Sequence, residues 1–424
     1  MNLSASDARA FDHPGILLTE TDLAALNANK EAAPWAQGYE RFTNAGEVHT
    51  KLSYVMRGPF PEVGRNPDVN LAPWRDDMYA VFGLALQWRF TGDPAYAEMA
   101  KEILLAWATT HSTWSGVEPY LEMGDFAHYF CLGASILRSY SGWSAADTQT
   151  VKTYFNEVNW PATRVDIPLR SANQGGAHLA GGMALAIYLD DQAKFDLVID
   201  AFRTQACTGL RNTQPNGQVG DSGRDQGHAY GELWHYAKLS ELAWKAAGVD
   251  LFALEDNRLL TAGEYWSTYN NGSDPGWIPA GTCYSLYPAL DSEGSGPRSA
   301  PPEAQHLLRS AYVLRKGLAM PETEAYIDDN LDDWRSWIFR KAEDSSTANV
   351  PAAVFFPATV ARRGRLGKHR QRLGGGEPLW RHPSAQPGPS SLLVEAREAV
   401  ESGVVVHRAR RDPLDPDEEL RLSA

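Results

Sequence analysis

Apolar residues recur every three to four positions through most of this chain. Met78, Val81, Phe82, Ala85 and Leu86 fall on one face of a helix. Thr91-Gly92-Asp93-Pro94 then supplies a stop, an N-cap and a proline at the first helical position. Tyr96, Met99, Ala100, Ile103, Leu104 and Trp107 form the next face, so a short loop joins two helices into an antiparallel hairpin. The pattern returns. Phe126, Phe130, Ala134 and Leu137 predict a helix over 123–140, and Leu179, Gly182, Met183, Ala186 and Ile187 predict another over 176–189. Phe195, Val198, Ile199 and Phe202 follow, then Leu233, Tyr236, Ala237, Ser240 and Trp244. Ala304, Leu307, Leu308, Ala311 and Tyr312 come after Pro301-Pro302. No sustained period-two alternation precedes about residue 345. So many one-sided helices bury their apolar faces by stacking as hairpins, most naturally as a closed or incomplete (α/α) toroid. The predicted fold is all-α, with helices throughout 75–320.

Near residue 345 the pattern stops. Val350-Pro-Ala-Ala-Val354 reads as the start of a strand. A basic, Gly/Pro-rich stretch then begins at Arg362, with Trp380 as its one aromatic Trp and no Tyr or Phe. The chain therefore divides into a helical domain over 11–345 and a poorly structured tail over 346–424. Two origins fit that tail: an authentic disordered end, or a reading-frame shift near residue 360 that leaves a non-native one.

Composition narrows the classes. Hydrophobic residues make up 43% and charged residues 22%, as in a soluble globular protein. No apolar run reaches the ~20 residues of a membrane span. The 14 Trp and 17 Tyr serve core packing first and sugar-stacking platforms second. A net charge of −14, from 53 acidic and 39 basic residues, argues against nucleic acid as a partner. It also gives no long-range steering of a polyanion, so such a ligand requires a locally basic cleft. Cys131, Cys207 and Cys283 are too few and too scattered for a disulfide framework or a zinc site, and at least one stays unpaired within the chain. Met1-Asn-Leu-Ser-Ala-Ser-Asp lacks the apolar core of a secretory signal. That leaves a cytoplasmic protein, or one whose leader lies outside this sequence.

Two polar clusters each run straight into a helix: Ser171-Ala-Asn173-Gln174-Gly-Gly-Ala-His178 and Ser222-Gly-Arg224-Asp225-Gln226-Gly-His228. Amide, guanidinium and imidazole groups there meet the free backbone N–H groups of a helix start. This suits holding a carboxylate while a proton leaves the neighbouring carbon. The C5 proton of a uronate is poorly acidic until its carboxylate is neutralised; a base must then take it and an acid must protonate the leaving O4. No metal or cofactor is required. Asn173 and Gln174 suit carboxylate recognition, although an Asn before a helix also serves as an ordinary cap. Arg224 pairs either with substrate or with Asp225. His228, titrating near neutrality, suits the base. Tyr230, Tyr284 and Tyr287 are the nearby phenols, and His178, inside the helix start, is given no role.

These motifs resemble the alginate lyase superfamily of helical-toroid polysaccharide lyases. The resemblance rests on Asp12-His-Pro-Gly-Ile-Leu-Leu-Thr19, Trp88-Arg-Phe-Thr-Gly-Asp-Pro-Ala-Tyr96, Ser171-Ala-Asn-Gln-Gly, Tyr188-Leu-Asp-Asp191, Arg224-Asp-Gln-Gly-His228 and Arg315-Lys-Gly-Leu318, covering roughly 11–340. It implies β-elimination of an anionic polysaccharide of alginate or glucuronan type, and a periplasmic or secreted setting. By resemblance Asn173 is the carboxylate-neutralising asparagine. Gln174 stands where some members carry a histidine, which moves that role to His228. Tyr284 is the expected catalytic tyrosine and Arg224 the fourth catalytic residue, while Gln174, Gln226 and Tyr230 are expected to bind substrate. Two other classes compete: a toroid glycoside hydrolase using a carboxylate pair drawn from Asp76, Asp77, Asp125 and Asp225, and a non-catalytic uronate-binding protein.

Overall fold

The computed structural model of the protein describes residues 11–33, 35–165, 170–279, 283, 286–294, 300–329 and 334–340. The tail over 346–424, the strand expected at Val350 and the expected catalytic Tyr284 lie outside the described residues. Among the described residues the helices are α1 Glu20–Asn29, α2 Trp35–Asn44, α3 Leu71–Thr91, α4 Pro94–Thr110, α5 Pro119–Leu137, α6 Ala145–Tyr154 and α7 Trp160–Thr163. They continue as α8 Ala172–Leu189, α9 Gln192–Thr204, α10 Gln226–Ala247, α11 Leu254–Asn270, α12 Glu303–Arg309, α13 Pro321–Asp329 and α14 Trp334–Phe339.

Local chemistry sets the hairpins. Gly92, at φ +74°, ends α3 in the left-handed region that glycine tolerates, and Asp93 caps α4 through the Ala95 N–H with Pro94 at its first position. Asp190 and Asp191 do the same between α8 and α9, Asp191 accepting from the Lys194 N–H at 3.0 Å. Thr19 with Asp22, and Ser144 with Asp147, close capping boxes on α1 and α6.

Two layers result. α3, α5, α8 and α10 pack on one another in succession, with α4 against α3, α6 against α4, and α9 against α8. Nearly every residue of α5 and α8 is buried, whereas α9 buries only one face: Phe195, Val198, Ile199, Ala201 and Phe202. α5 and α8 cross closely because glycines meet there: a Cβ on Gly124 would lie 2.5 Å from that of Ala177. Trp74 anchors the core, edge-on to Trp114, Phe126 and Phe130 at 4.9, 6.1 and 5.7 Å. This is the helical toroid expected from the apolar periodicity.

Three details differ from expectation. α5 runs Pro119–Leu137, not 123–140, because Pro119 suits the first helical turn. α8 begins at Ala172, not 176, so Asn173 and Gln174 lie in its first turn. Two four-residue strands, β1 Glu62–Arg65 and β2 Thr113–Gly116, pair in parallel; strands that short leave no alternation to read.

The cysteines also pair more than their spacing suggested. Cys207 and Cys283 form a disulfide with Cα atoms 5.7 Å apart, and Cys131 is the buried free thiol. A separation of 76 residues carries no sequence signal of contact. Deep in the domain Glu122, fully buried, takes Arg65 at 2.6 Å and Arg75 at 2.8 and 2.6 Å. Burial alone would raise its pKa, but the two guanidiniums outweigh it and hold the carboxyl below the usual range.

Candidate active site

The first turn of α8 and the entry to α10 lie together. The Asn173 N–H donates to Asp221 Oδ2 at 3.0 Å, and the Ala172 N–H donates to the Cys207 carbonyl at 2.9 Å. Asp221 belongs to the 3₁₀ turn Gly220–Gly223, which leads directly into Arg224 and Asp225. The Asn173 carboxamide lies over α10 at Gly231, where a Cβ would come 2.6 Å from its Oδ1. That oxygen is buried and takes no hydrogen bond among the described residues. Only glycine at 231 leaves room for it.

Gly231 is one helical turn from His228. Asp225 caps α10, accepting the His228 N–H at Oδ1 (2.8 Å) and His228 Nδ1 at Oδ2 (2.6 Å). With Nδ1–H so engaged, Nε2 carries the lone pair, and no described residue takes it. The ring keeps 15% exposure. Burial pulls the imidazole pKa down, but the hydrogen bond and charge of Asp225 outweigh it, so the net shift is upward. The same contact holds Asp225 below the usual carboxylate range against its burial.

Arg224 pairs with Asp225, as one of its two expected pairings had it, and also with Glu293. Its Nε lies 3.6 Å from the buried Asp225 Oδ2 and 3.3 Å from Glu293 Oε2. The segment carrying Glu293 runs along the turn: the Asp291, Ser292 and Glu293 N–H groups donate to the carbonyls of Ser222, Gly223 and Arg224 at 3.1, 2.7 and 2.8 Å. The Cys207–Cys283 disulfide joins this part of the chain to the residue beneath Ala172.

Two expected substrate contacts are placed elsewhere. Gln226 is 2% exposed, and its Oε1 accepts from Asn270 Nδ2 of α11 at 3.0 Å. The Tyr230 hydroxyl donates to the Pro301 carbonyl and accepts from the Ala304 N–H at 3.3 Å. Positions 226 and 230 share the face of α10 opposite His228 and Gly231, because a helix turns roughly 100° per residue. Both are packing residues here. Gln174 stays beside Asn173, half-buried. His178 packs in the core, stacked on Tyr120 at 4.1 Å with Nδ1 2.6 Å from the Thr163 carbonyl oxygen.

Residues missed in the sequence lie beside the site or behind it. Glu232 and His235 follow His228 by four and seven positions on the same face; applying the helical period to polar residues finds them. His235 Nε2 lies 3.6 Å from Asp125 Oδ1, and burial pushes its pKa well below the ordinary value. Arg164 and Arg170 flank the mouth of α8. Arg164 donates to the carbonyls of Val117 and Gly116 at 2.7 and 3.1 Å. Together with Arg65, their charges bear on Tyr120.

Of the four carboxylates a hydrolase could draw on, Asp225 is bound to His228 and Asp125 faces His235, while Asp76 and Asp77 are committed elsewhere. Asp77 is fully buried and accepts from Tyr54, Trp107 and the N–H groups of Arg57 and Gly58 at 2.6–2.9 Å. Asp76 pairs with Arg57 and His49. Among the described residues no cluster of His, Cys, Asp and Glu could hold a metal ion.

Known proteins share the family and the fold. The family model for alginate lyase matches residues 23–276. An alginate lyase from Bacteroides ovatus superposes with a TM-score of 0.55 at 13% identity, covering 78% of this chain and 100% of its own. Alginate lyase A1-III of Sphingomonas species A1, as a histidine variant complexed with tetrasaccharide, gives 0.54 at 14% identity over 75% of this chain and 93% of its own. Its tyrosine variant with tetrasaccharide gives 0.51 at 14% identity over 72% and 89%. These structures share the fold. No curated protein sequence matches the chain significantly.

Proposed function

The chain belongs to the alginate lyase family, and from that premise we propose that His228 takes the C5 proton of a uronate whose carboxylate is held by Asn173 and Arg224. The protein is a polysaccharide lyase acting on alginate-type polymers. The observation that carries the residue assignment is the Asp225–His228 pair at 2.6 Å, set one turn from Gly231, over which the Asn173 carboxamide lies with its amide N–H as the donor a carboxylate needs.

The chemistry follows in order. The Asn173 carboxamide and the Arg224 guanidinium bond the substrate carboxylate, so negative charge can build there as the C5–H bond breaks. His228 Nε2 accepts the proton. The C5 electron pair forms the C4=C5 double bond, the C4–O4 bond breaks, and O4 leaves with a proton. Asp225 fixes the tautomer and stabilises the imidazolium. Tyr284, next to the tethered Cys283, is the proposed donor to O4, or the C5 base for a substrate epimer that presents the proton on its side. Gln174 supplies a further amide at the carboxylate. Arg164 and Arg170 supply the local positive charge that an acidic protein needs to bind a polyanion.

A periplasmic or secreted setting fits the Cys207–Cys283 disulfide, which persists in oxidising compartments. Among the described residues no helix is long and apolar enough to cross a membrane. Polymannuronate, polyguluronate and glucuronan assayed side by side test the reading. A lyase gives unsaturated, ultraviolet-absorbing ends; new reducing ends without that absorbance would identify a hydrolase, and binding without either would identify a carbohydrate-binding protein.

A further inference from the structure

Behind Asn173 lie two buried acids that the elimination does not use. Glu232 is fully buried and Asp221 is 4% exposed. The Asp221 N–H donates to Glu232 Oε2 at 3.0 Å, and Asp221 Oδ2 in turn accepts the Asn173 N–H at 3.0 Å. Glu232 Oε1 lies 3.2 Å from Asn212 Nδ2 and 3.1 Å from the Tyr236 hydroxyl. No Lys, Arg or His bonds to Glu232 among the described residues.

The Tyr236 hydroxyl locates a proton. It lies 2.7 Å from the Thr208 carbonyl, 3.2 Å from that of Gly209 and 3.1 Å from Glu232 Oε1. It has one proton, and the shortest contact, to Thr208, takes it. The remaining contact is attractive if Glu232 Oε1 carries a proton and donates it to the Tyr236 oxygen. Asp221 sits differently. Burial, helped by the charge of Asp225, raises its pKa overall, but it also has groups that favour its ionised form: the Asn173 N–H, His228 and Arg224.

We infer that Glu232 and Asp221 are a positioning pair for Asn173, with Glu232 protonated and Asp221 ionised, so that a single buried charge holds the first turn of α8 against α10. A second charge there would set two desolvated carboxylates against each other. Burial and the neighbouring Asp221 push the Glu232 pKa up to about 8. Above that pH, repulsion displaces Asp221, the Asn173 N–H loses its acceptor, and the carboxamide leaves its seat over Gly231. The inference rests on the lyase reading for its activity arm only.

Glu232→Gln mimics the protonated acid and Glu232→Ala removes the brace. On the polyuronate cleaved best, Glu232→Gln should keep kcat within about threefold of wild type and lose the activity decline near pH 8. Glu232→Ala should lose about 10²-fold in kcat with KM little changed. A second arm needs no substrate. The folded pKa lies above the unfolded value of about 4.3, so this acid lowers wild-type stability progressively as pH rises from there to about 8 and no further. The Tm advantage of Glu232→Gln over wild type should therefore grow between pH 5 and pH 8. An equal Tm difference at both pH values, or Glu232→Gln as slow as Glu232→Ala, would overturn the pair. If wild type cleaves no polyuronate, the lyase reading fails and the Tm arm alone decides this one.

Discussion

Two buried polar clusters in this domain are built from similar residues and end in opposite states. Around Glu122, two arginines meet one carboxylate and both carboxylate oxygens are bonded. Around His228, Asp225 occupies one ring nitrogen and leaves the other without a partner, while the Asn173 oxygen nearby is also unpartnered. A closed network holds helices together. An open one holds capacity for something else to bind. Burial and charge are common to both, so completeness of pairing is what separates structure from chemistry here.

The largest effect that could break this contrast comes from His228. His228→Ala should cost about 10²–10⁴-fold in turnover with circular dichroism unchanged, and Asn173→Ala should follow it. Full polyuronate cleavage by His228→Ala would erase the distinction. Glu122→Ala is the counterpart in the closed network. It takes the shared carboxylate from Arg65 and Arg75 and should cost about 3 kcal/mol of stability, read from the denaturant midpoint. Loss of turnover at unchanged stability would move Glu122 into the open group.

A third measurement sharpens the contrast. The base must be deprotonated, so kcat/KM should fall as pH drops through the His228 pKa, which lies above the ordinary value of about 6.5. Asp225→Asn removes the charge that raises it. The acid limb should then move to lower pH while the maximal rate falls. A limb that stays in place would show that another group titrates. The smallest effect is expected from Tyr230→Phe. It should leave kcat unchanged and lower stability by about 1–3 kcal/mol, the worth of its two hydrogen bonds; a dead variant would return the phenol role to Tyr230.

The helices were legible because burial imposes a period, and Asp93-Pro94 and Asp190-Asp191 mark their junctions. Asn173, Arg224 and His228 were legible as polar groups at helix starts. Gln226 and Tyr230 were misplaced because closeness along the chain does not mean a shared face on a helix. Asp221 and Glu232 were passed over because a buried acid and an exposed one read alike until tertiary contacts remove the water. The disulfide was invisible for the same reason that long loops close cheaply: 76 residues of separation constrain almost no geometry.

That disulfide has a further consequence. It encloses residues 208–282 in one covalent ring, and α10, α11 and the Arg224–His228 cluster all lie within it. A single peptide bond cut anywhere in that span leaves both fragments joined through sulfur. Under non-reducing conditions a nicked chain would still migrate as one molecule, and only added thiol would part the half bearing Asn173 from the half bearing α12.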